Sequence, residues 1–199
     1  MTSRTRTRAA RTRKTPRRDD RRRWQIGIPL AIGLIAIAFV LGSQTQGGET
    51  LATGAAPAFD LPTSDGASIS LEAMRGHPVL LYFSEGVGCD SCFAQLADIE
   101  ASSSAFDQLG VHIVPIMVNQ ASDVTLATAD FGIRTPIALD TTKVVSEEYG
   151  VLGTGMHAGL PGHSFILVDA TGTIRWEQSF PSMYVPSDEL ARTIADHLD

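Results

Sequence analysis

Two cysteines, Cys89 and Cys92, are the only ones in the 199-residue chain, and they stand three residues apart in "YFSEGVGCDSCFAQL". Thiols at this spacing suit three chemistries. They can cycle between dithiol and disulfide. As thiolates they can clamp a soft metal ion such as Cu(I), with His163, or Met156 and His157, completing the ligand set. They can also form a plain structural bridge. A bridge over two intervening residues removes little chain entropy, and a domain of this size does not need one. The remaining choice rests on what surrounds the pair.

The surrounding pattern places Cys89 at the junction of a strand and a helix. "HPVLLYFS" is a short apolar, β-rich run that suits a buried central strand. Gly86 and Gly88 allow a sharp turn after it. From Asp90 to Phe106 the apolar residues Phe93, Leu96, Ile99 and Phe106 recur at helical spacing, with Cys92 on the same face. Cys89 therefore meets the free N–H groups and positive end of a helix, which favour a thiolate. Cys92 lies one turn further in, on the buried face. The expected division of labour is that Cys89 attacks and Cys92 resolves the mixed disulfide. Glu85, four residues before Cys89, is either an exposed loop acid or a proton acceptor for Cys92.

The rest of the domain alternates strand and helix. "PAFDLPTSDGASISL" predicts short strands around an Asp-Gly turn, and "VHIVPIMV" a second buried strand. "ASDVTLATADFG" and "TKVVSEEYG" predict helices ended by Gly132 and Gly150, with the short strand "TPIALD" between them. "HSFILVDATGTIRWEQSF" reads as a hairpin. "VPSDELARTIADHL" reads as a closing helix with Ser187 as its N-cap. The expected fold is α/β, a central mixed sheet with helices on both faces.

Charge divides the chain. Residues 1–23 hold eleven Arg and Lys against Asp19 and Asp20, a local +9, while the remainder must carry −15 to reach the overall −6. A basic tail can signal nucleic acid, but residues 24–46 carry no charge and include the apolar run "IGIPLAIGLIAIAFVLG". Such a run approaches the ~20 residues of a membrane-spanning helix. Trp24 suits the interface, and Arg-rich flanks stay cytoplasmic. The expected organisation is a basic cytoplasmic tail (1–23), a transmembrane signal anchor (24–46), a linker (47–56) and an extracytoplasmic domain (57–199). Nucleic acid is excluded as a partner, and the lipid bilayer is included.

The stretches "APAFDLPTSDGASISLEAMRGHPVLLYF", "CDSC" and "LPGHSFILVDATGTIRW" resemble the thioredoxin superfamily, in particular its redoxin branch. That branch holds membrane-anchored thiol–disulfide oxidoreductases and the alkyl hydroperoxide reductase/thiol-specific antioxidant proteins. The resemblance implies a thioredoxin-like fold and a redox-active Cys89–Cys92 disulfide. It implies no metal or organic cofactor. The substrates would be protein or small-molecule disulfides and thiols, and the electrons would come from a membrane thiol-transfer donor. The sequence also departs from the pattern. Asp90-Ser91 replaces the usual Gly-Pro or Pro-Pro between the cysteines. His163 stands where relatives have the active-site proline, with Pro161 two residues earlier. Peroxiredoxin-type relatives carry an arginine at the position of His163, which makes His163 a candidate polar group facing the sulfurs.

The leading expectation is a membrane-tethered, extracytoplasmic thiol–disulfide oxidoreductase with Cys89, Cys92, His163 and Glu85 as its site. The alternative is a thiol-dependent peroxidase, a peroxiredoxin-like antioxidant; the third is a Cu(I)-binding or delivery module. Peroxidase activity is expected to be weak. Peroxiredoxin-type sites use a Pro-x-x-x-Thr-x-x-Cys loop, and here Gly86 and Tyr82 hold the Thr and Pro positions before Cys89.

Overall fold

The computed structural model describes residues 54–198. The basic tail, the apolar span and most of the expected linker fall outside the described residues. Among the described residues, no helix is long and apolar enough to cross a membrane.

Among the described residues, seven strands and five α-helices follow the expected order. The hairpin β1 (Asp60–Pro62) and β2 (Ser68–Ser70) is antiparallel, and a 3-10 turn (Glu72–Met74) follows it. Then come β3 (Val79–Phe83), α1 (Asp90–Ala101), α2 (Ser103–Gln108), β4 (His112–Met117) and α3 (Ala121–Asp130). β5 (Ala138–Leu139), α4 (Val144–Glu148), β6 (Ser164–Val168), β7 (Ile174–Ser179) and α5 (Ser187–Leu198) complete the domain. The main sheet has the order β5-β4-β3-β6-β7. β3, β4 and β5 are parallel, while β6 and β7 are antiparallel to their neighbours.

Strand periodicity assigns the two faces of the sheet. Every residue of β3 is buried, as its unbroken apolar run requires of a central strand. Leu80 and Tyr82 join Phe93, Leu96 and Ile99 of α1 and Leu190 and Ile194 of α5 in one core. Val79, Leu81 and Phe83 project to the opposite face. There they meet Phe59, Leu61, Val145 and Tyr149. Each such side chain, fully buried, contributes roughly 1.5–3 kcal/mol of transfer free energy. Leu96 and Ile99 thereby fix the axial rotation of α1, and with it which cysteine faces inward.

Three expectations change in detail. The single helix from Asp90 to Phe106 is two, because the chain leaves helical geometry at Ser102 (φ −100°, ψ 15°) and restarts at Ser103. The run "ASSS" supplies no large apolar side chain to hold a continuous helix to the core. Ser187 is the first helical residue of α5 rather than its N-cap, since Leu190 N–H already bonds to Pro186 O. Its hydroxyl donates to Asp98 on α1 at 2.7 Å and so ties the two helices together. Gly54–Ala56, expected in the linker, run along the β6–β7 turn: Ile174 N–H bonds to Gly54 O, and Ala56 N–H bonds to Gly172 O.

The topology brings distant segments to one edge. Because β6 is antiparallel to β3, Ser164 pairs with Phe83, and the start of β6 lies beside the end of β3. His163, just before β6, is therefore delivered to the same end of the sheet as the cysteine loop.

Candidate active site

Cys89 and Cys92 are joined as a disulfide, with Cα atoms 5.4 Å apart. Cys89 is the N-cap residue of α1, and the helix proceeds from Asp90 with the bridge in place. Cys89 is half-buried, whereas Cys92 is fully buried. The N–H of Cys92 donates to Cys89 Sγ at 3.3 Å. This helix N-terminal amide, which also donates to Cys89 O at 3.0 Å, thus points at the sulfur as well, and it supports negative charge there when the bond is reduced. The expected arrangement, Cys89 outward at the helix start and Cys92 inward, is the observed one.

The loop before Cys89 is held by the segment that follows β4. Val87 N–H donates to Asn119 Oδ1 at 3.1 Å. Gly86 has φ +76°, and a Cβ built there would lie 2.0 Å from Asn119 Oδ1. Only glycine satisfies both the left-handed backbone and the close approach of Asn119. The sequence marked Gly86 as a turn residue but gave no signal for Asn119, which lies 30 residues beyond Cys89.

His163 is 2% exposed and reaches the cysteine helix through Tyr82. The Tyr82 hydroxyl lies 3.1 Å from Cys92 O and 3.2 Å from His163 Nδ1. A carbonyl can only accept, so the phenolic proton belongs on the Cys92 bond. His163 Nδ1 must then carry hydrogen and donate to the Tyr82 oxygen, and Nε2 is left as a lone-pair acceptor. That Nε2 is buried and has no hydrogen-bond partner. Tyr82 also stacks on Phe165 with ring centroids 4.6 Å apart. His163 therefore joins the site through the Cys92 carbonyl, and the link is Tyr82, a residue whose role sequence reasoning missed. The helical periodicity marks Cys92 as inward, but nothing in the sequence says which strand residue lies beneath it.

Burial pushes the His163 imidazole down from 6.5 to about 4. The sign for stability follows. As pH falls below 6.5 the unfolded chain takes up a proton that the folded chain refuses, so stability drops across this window and the loss levels off below about 4. The full gap corresponds to about 3 kcal/mol. Other groups act lower. Partial burial opposes ionisation of Asp98, but hydrogen bonds from Ser187 and Tyr184 outweigh it and hold the carboxyl below its ordinary value. Asp98 thus loses its contribution in more acid solution. Denaturant titrations from about pH 7.5 to about pH 4.5 should show the loss in the wild type and a flattened profile in His163→Phe. Equal slopes in the two proteins would rule out a neutral buried His163.

Glu85 is buried and committed elsewhere. Its Oε1 accepts from the N–H groups of Met156 (2.8 Å) and His157 (3.2 Å), and its Oε2 lies 2.8 Å from His157 Nδ1. Gly155 is packed so closely that a Cβ there would come within 2.6 Å of Glu85 Oε1. The carboxylate anchors the "TGMHAG" segment beside the cysteine loop. Of the two expectations for Glu85, the exposed loop acid does not describe it. Its hydrogen bonds run to the 156–157 backbone and to His157.

Pro161 forms an isolated bridge with Leu152, and the described peptide bonds are all trans. No group of three or more His, Cys, Asp or Glu among the described residues is arranged to hold a metal ion.

Comparison with known proteins agrees with this geometry. Over 119 residues the chain is 25% identical to the chloroplastic peroxiredoxin Q of Suaeda salsa, covering 60% of this chain and 55% of that protein. It is 23% identical over 147 residues to the chloroplastic peroxiredoxin Q of Oryza sativa subsp. japonica, covering 74% of this chain and 66% of the relative. The chain thus spans between about half and two thirds of these relatives' lengths. The crystal structure of peroxidoxin BcpB from Mycobacterium tuberculosis superposes with a TM-score of 0.63 at 18% identity, covering 74% of this chain and 98% of that one. The solution structure of a protein from Bacteroides thetaiotaomicron described as a protein disulfide isomerase gives 0.58 at 21% identity, covering 73% and 89%. At these identities the structural likeness establishes the thioredoxin-like fold. The family model for AhpC/TSA matches residues 52–177, which include both cysteines and His163. With a thiol-based redox pair on a thioredoxin-like fold, the chain belongs to the AhpC/TSA family.

Proposed function

We propose that the domain is a thiol-dependent peroxidase in which Cys89 attacks the peroxide and Cys92 resolves the product. The observation that carries this reading is a half-buried Cys89 at a helix N-terminus, bonded to a buried Cys92, within an AhpC/TSA domain. The Cys89 thiolate attacks one peroxide oxygen, the O–O bond breaks, and the other oxygen leaves as an alcohol or water after taking a proton. Cys89 becomes a sulfenic acid. The Cys92 thiol then displaces its hydroxyl as water, which forms the disulfide. Two electrons from the thiols reduce the peroxide, and a dithiol donor must return them.

A second reading, thiol–disulfide exchange with protein substrates, is favoured by a specific observation. Cys89 lacks the threonine and arginine that align an O–O bond, and the residues in their places are Gly86 and a neutral, buried His163. The bridge also closes without disturbing α1, as reversible dithiol exchange needs. Stopped-flow rates of the reduced protein with hydrogen peroxide and with a model disulfide separate the two. A faster peroxide reaction is the expected result; exchange at least tenfold faster than peroxide reduction would reverse the order.

The reading extends to location. We propose that residues 24–46 tether the domain outside the cytoplasmic membrane, supported by the uncharged span beside an Arg-rich flank. A membrane thiol-transfer partner would then supply the electrons. Protease added to spheroplasts should remove the domain, and a protected domain would contradict the tether.

A further inference from the structure

Cys92 must react in a place that solvent does not reach, since it is 0% exposed on α1. Its thiol has to lose a proton as its sulfur attacks, yet a free thiolate there would be desolvated. The proton therefore needs an acceptor inside the domain. Among the described residues, three buried side-chain atoms have no hydrogen-bond partner: Ser84 Oγ, Gln95 Nε2 and His163 Nε2. Gln95 follows Cys92 by three residues on the same helix and is also buried. Tyr82 faces α1 in the core, and strand alternation turns Ser84 to that same side. Phe83 pairs with Ser164, so the antiparallel register carried one step further sets Ser84 opposite His163. Of the three atoms, only His163 Nε2 is a pure acceptor. An amide nitrogen only donates, and a hydroxyl brings its own proton. Burial pushes the imidazole down to about 4, so at neutral pH Nε2 keeps its lone pair. A single phenolic oxygen separates the ring from Cys92: Tyr82 Oη is 3.2 Å from His163 Nδ1 and 3.1 Å from Cys92 O. An orphaned buried acceptor is costly, and a redox or catalytic role is one reason a native structure keeps one.

We propose that His163 Nε2 is the internal proton acceptor for the Cys92 thiol in the resolving step. In the reduced protein the Cys92 S–H donates to Nε2. When Cys89 has become a sulfenic acid, the Cys92 sulfur attacks the Cys89 sulfur and its proton passes to Nε2. The S–O bond breaks, the departing hydroxyl takes the proton back from Nε2–H, and water leaves. The Cys89 sulfur is reduced from the sulfenic level, the Cys92 sulfur is oxidised, and both end in the disulfide. In thiol–disulfide exchange the same proton goes to the departing substrate sulfur. Burial suits this role, because a group that solvent does not touch can take a proton only from a neighbour inside the domain.

The inference rests on Cys92 as the resolving thiol. Its test gives the full-length reduced protein one equivalent of hydrogen peroxide, quenches at intervals and reads Cys89 sulfenic acid and the Cys89–Cys92 bridge by mass spectrometry. In the wild type the sulfenic acid should be short-lived. In His163→Phe the closing step should slow by roughly 10²-fold relative to the attack step, the loss typical of a missing acid–base group. A wild type that forms sulfenic acid and no bridge would remove the couple itself, and the relay with it. Equal closing rates in the two proteins would overturn the relay alone. A second measurement decides even if that variant does not fold. In protein labelled with ¹⁵N-histidine, the His163 Nε2 resonance should move when the disulfide is reduced, and it should not move in reduced Cys92→Ala. A resonance indifferent to reduction, or one displaced equally in Cys92→Ala, would overturn the proposal.

Discussion

Cys89→Ser should abolish peroxide and disulfide turnover, whereas Cys92→Ser should retain the first chemical step and lose the second. The two thiols are chemically alike, so the difference arises from position. Cys89 caps α1, half-buried, with the Cys92 amide 3.3 Å from its sulfur. A thiolate there is both reachable and stabilised by the helix terminus. Cys92 is fully buried on the helix that also buries Leu96 and Ile99, where a thiolate would be desolvated and a substrate cannot approach. Replacing an attacking thiol by a hydroxyl removes covalent catalysis, an effect of at least about 10³-fold. In Cys92→Ser the attack still occurs, and the product stalls as a Cys89 sulfenic acid or a stable mixed disulfide. Mass spectrometry of the two variants after one equivalent of oxidant reads this directly. A Cys92→Ser protein that turns over normally would show that the bridge is structural.

The second large effect is expected at Tyr82. This side chain is fully buried, stacks on Phe165, contacts the His163 ring at 5.0 Å between centroids and bonds to the Cys92 carbonyl. Tyr82→Ala should destabilise the domain by about 3–5 kcal/mol, because it deletes an aromatic ring from the centre of the sheet and leaves a cavity. Tyr82→Phe keeps the ring and should cost about 0.5–1.5 kcal/mol for the lost hydrogen bonds. The two substitutions separate packing from polarity, and denaturant unfolding measures both. The Phe variant also releases His163 Nδ1 from its donor role, so the imidazole tautomer should shift in the NMR spectrum while the fold persists. A Tyr82→Phe protein as destabilised as Tyr82→Ala would mean that the hydroxyl network, rather than the ring, organises this region.

The parts of this site that were legible in the sequence are those fixed by local pattern. The all-apolar "VLLYF" identified a central strand, and the spacing of Cys92, Leu96 and Ile99 placed one sulfur inside. Gly86 and Gly88 marked the turn between them, and both have positive φ. The parts that were not legible depend on side chains brought together by the strand order. Tyr82 and His163 are 81 residues apart and meet because β6 returns antiparallel beside β3. Glu85 and the 156–157 backbone meet for a related reason, through a loop whose course no periodicity encodes. Apolar patterning specifies which face a residue takes. It does not specify which polar partner waits there, so Glu85 read equally well as a loop acid or as a proton acceptor. Ser187 misled for the same reason: its hydroxyl bonds to Asp98, a carboxylate on another helix, rather than capping its own.

The central claim is that Cys89 and Cys92 form a two-electron couple that closes on itself. It is tested most directly by counting thiols in the fully reduced protein as hydrogen peroxide is added in substoichiometric steps. The expected result is two thiols lost per peroxide, with the product a monomer containing the Cys89–Cys92 bridge and no sulfenic acid accumulating. Loss of one thiol per peroxide with accumulation of a disulfide-linked dimer, or thiols that survive excess peroxide and a model disulfide alike, would contradict it.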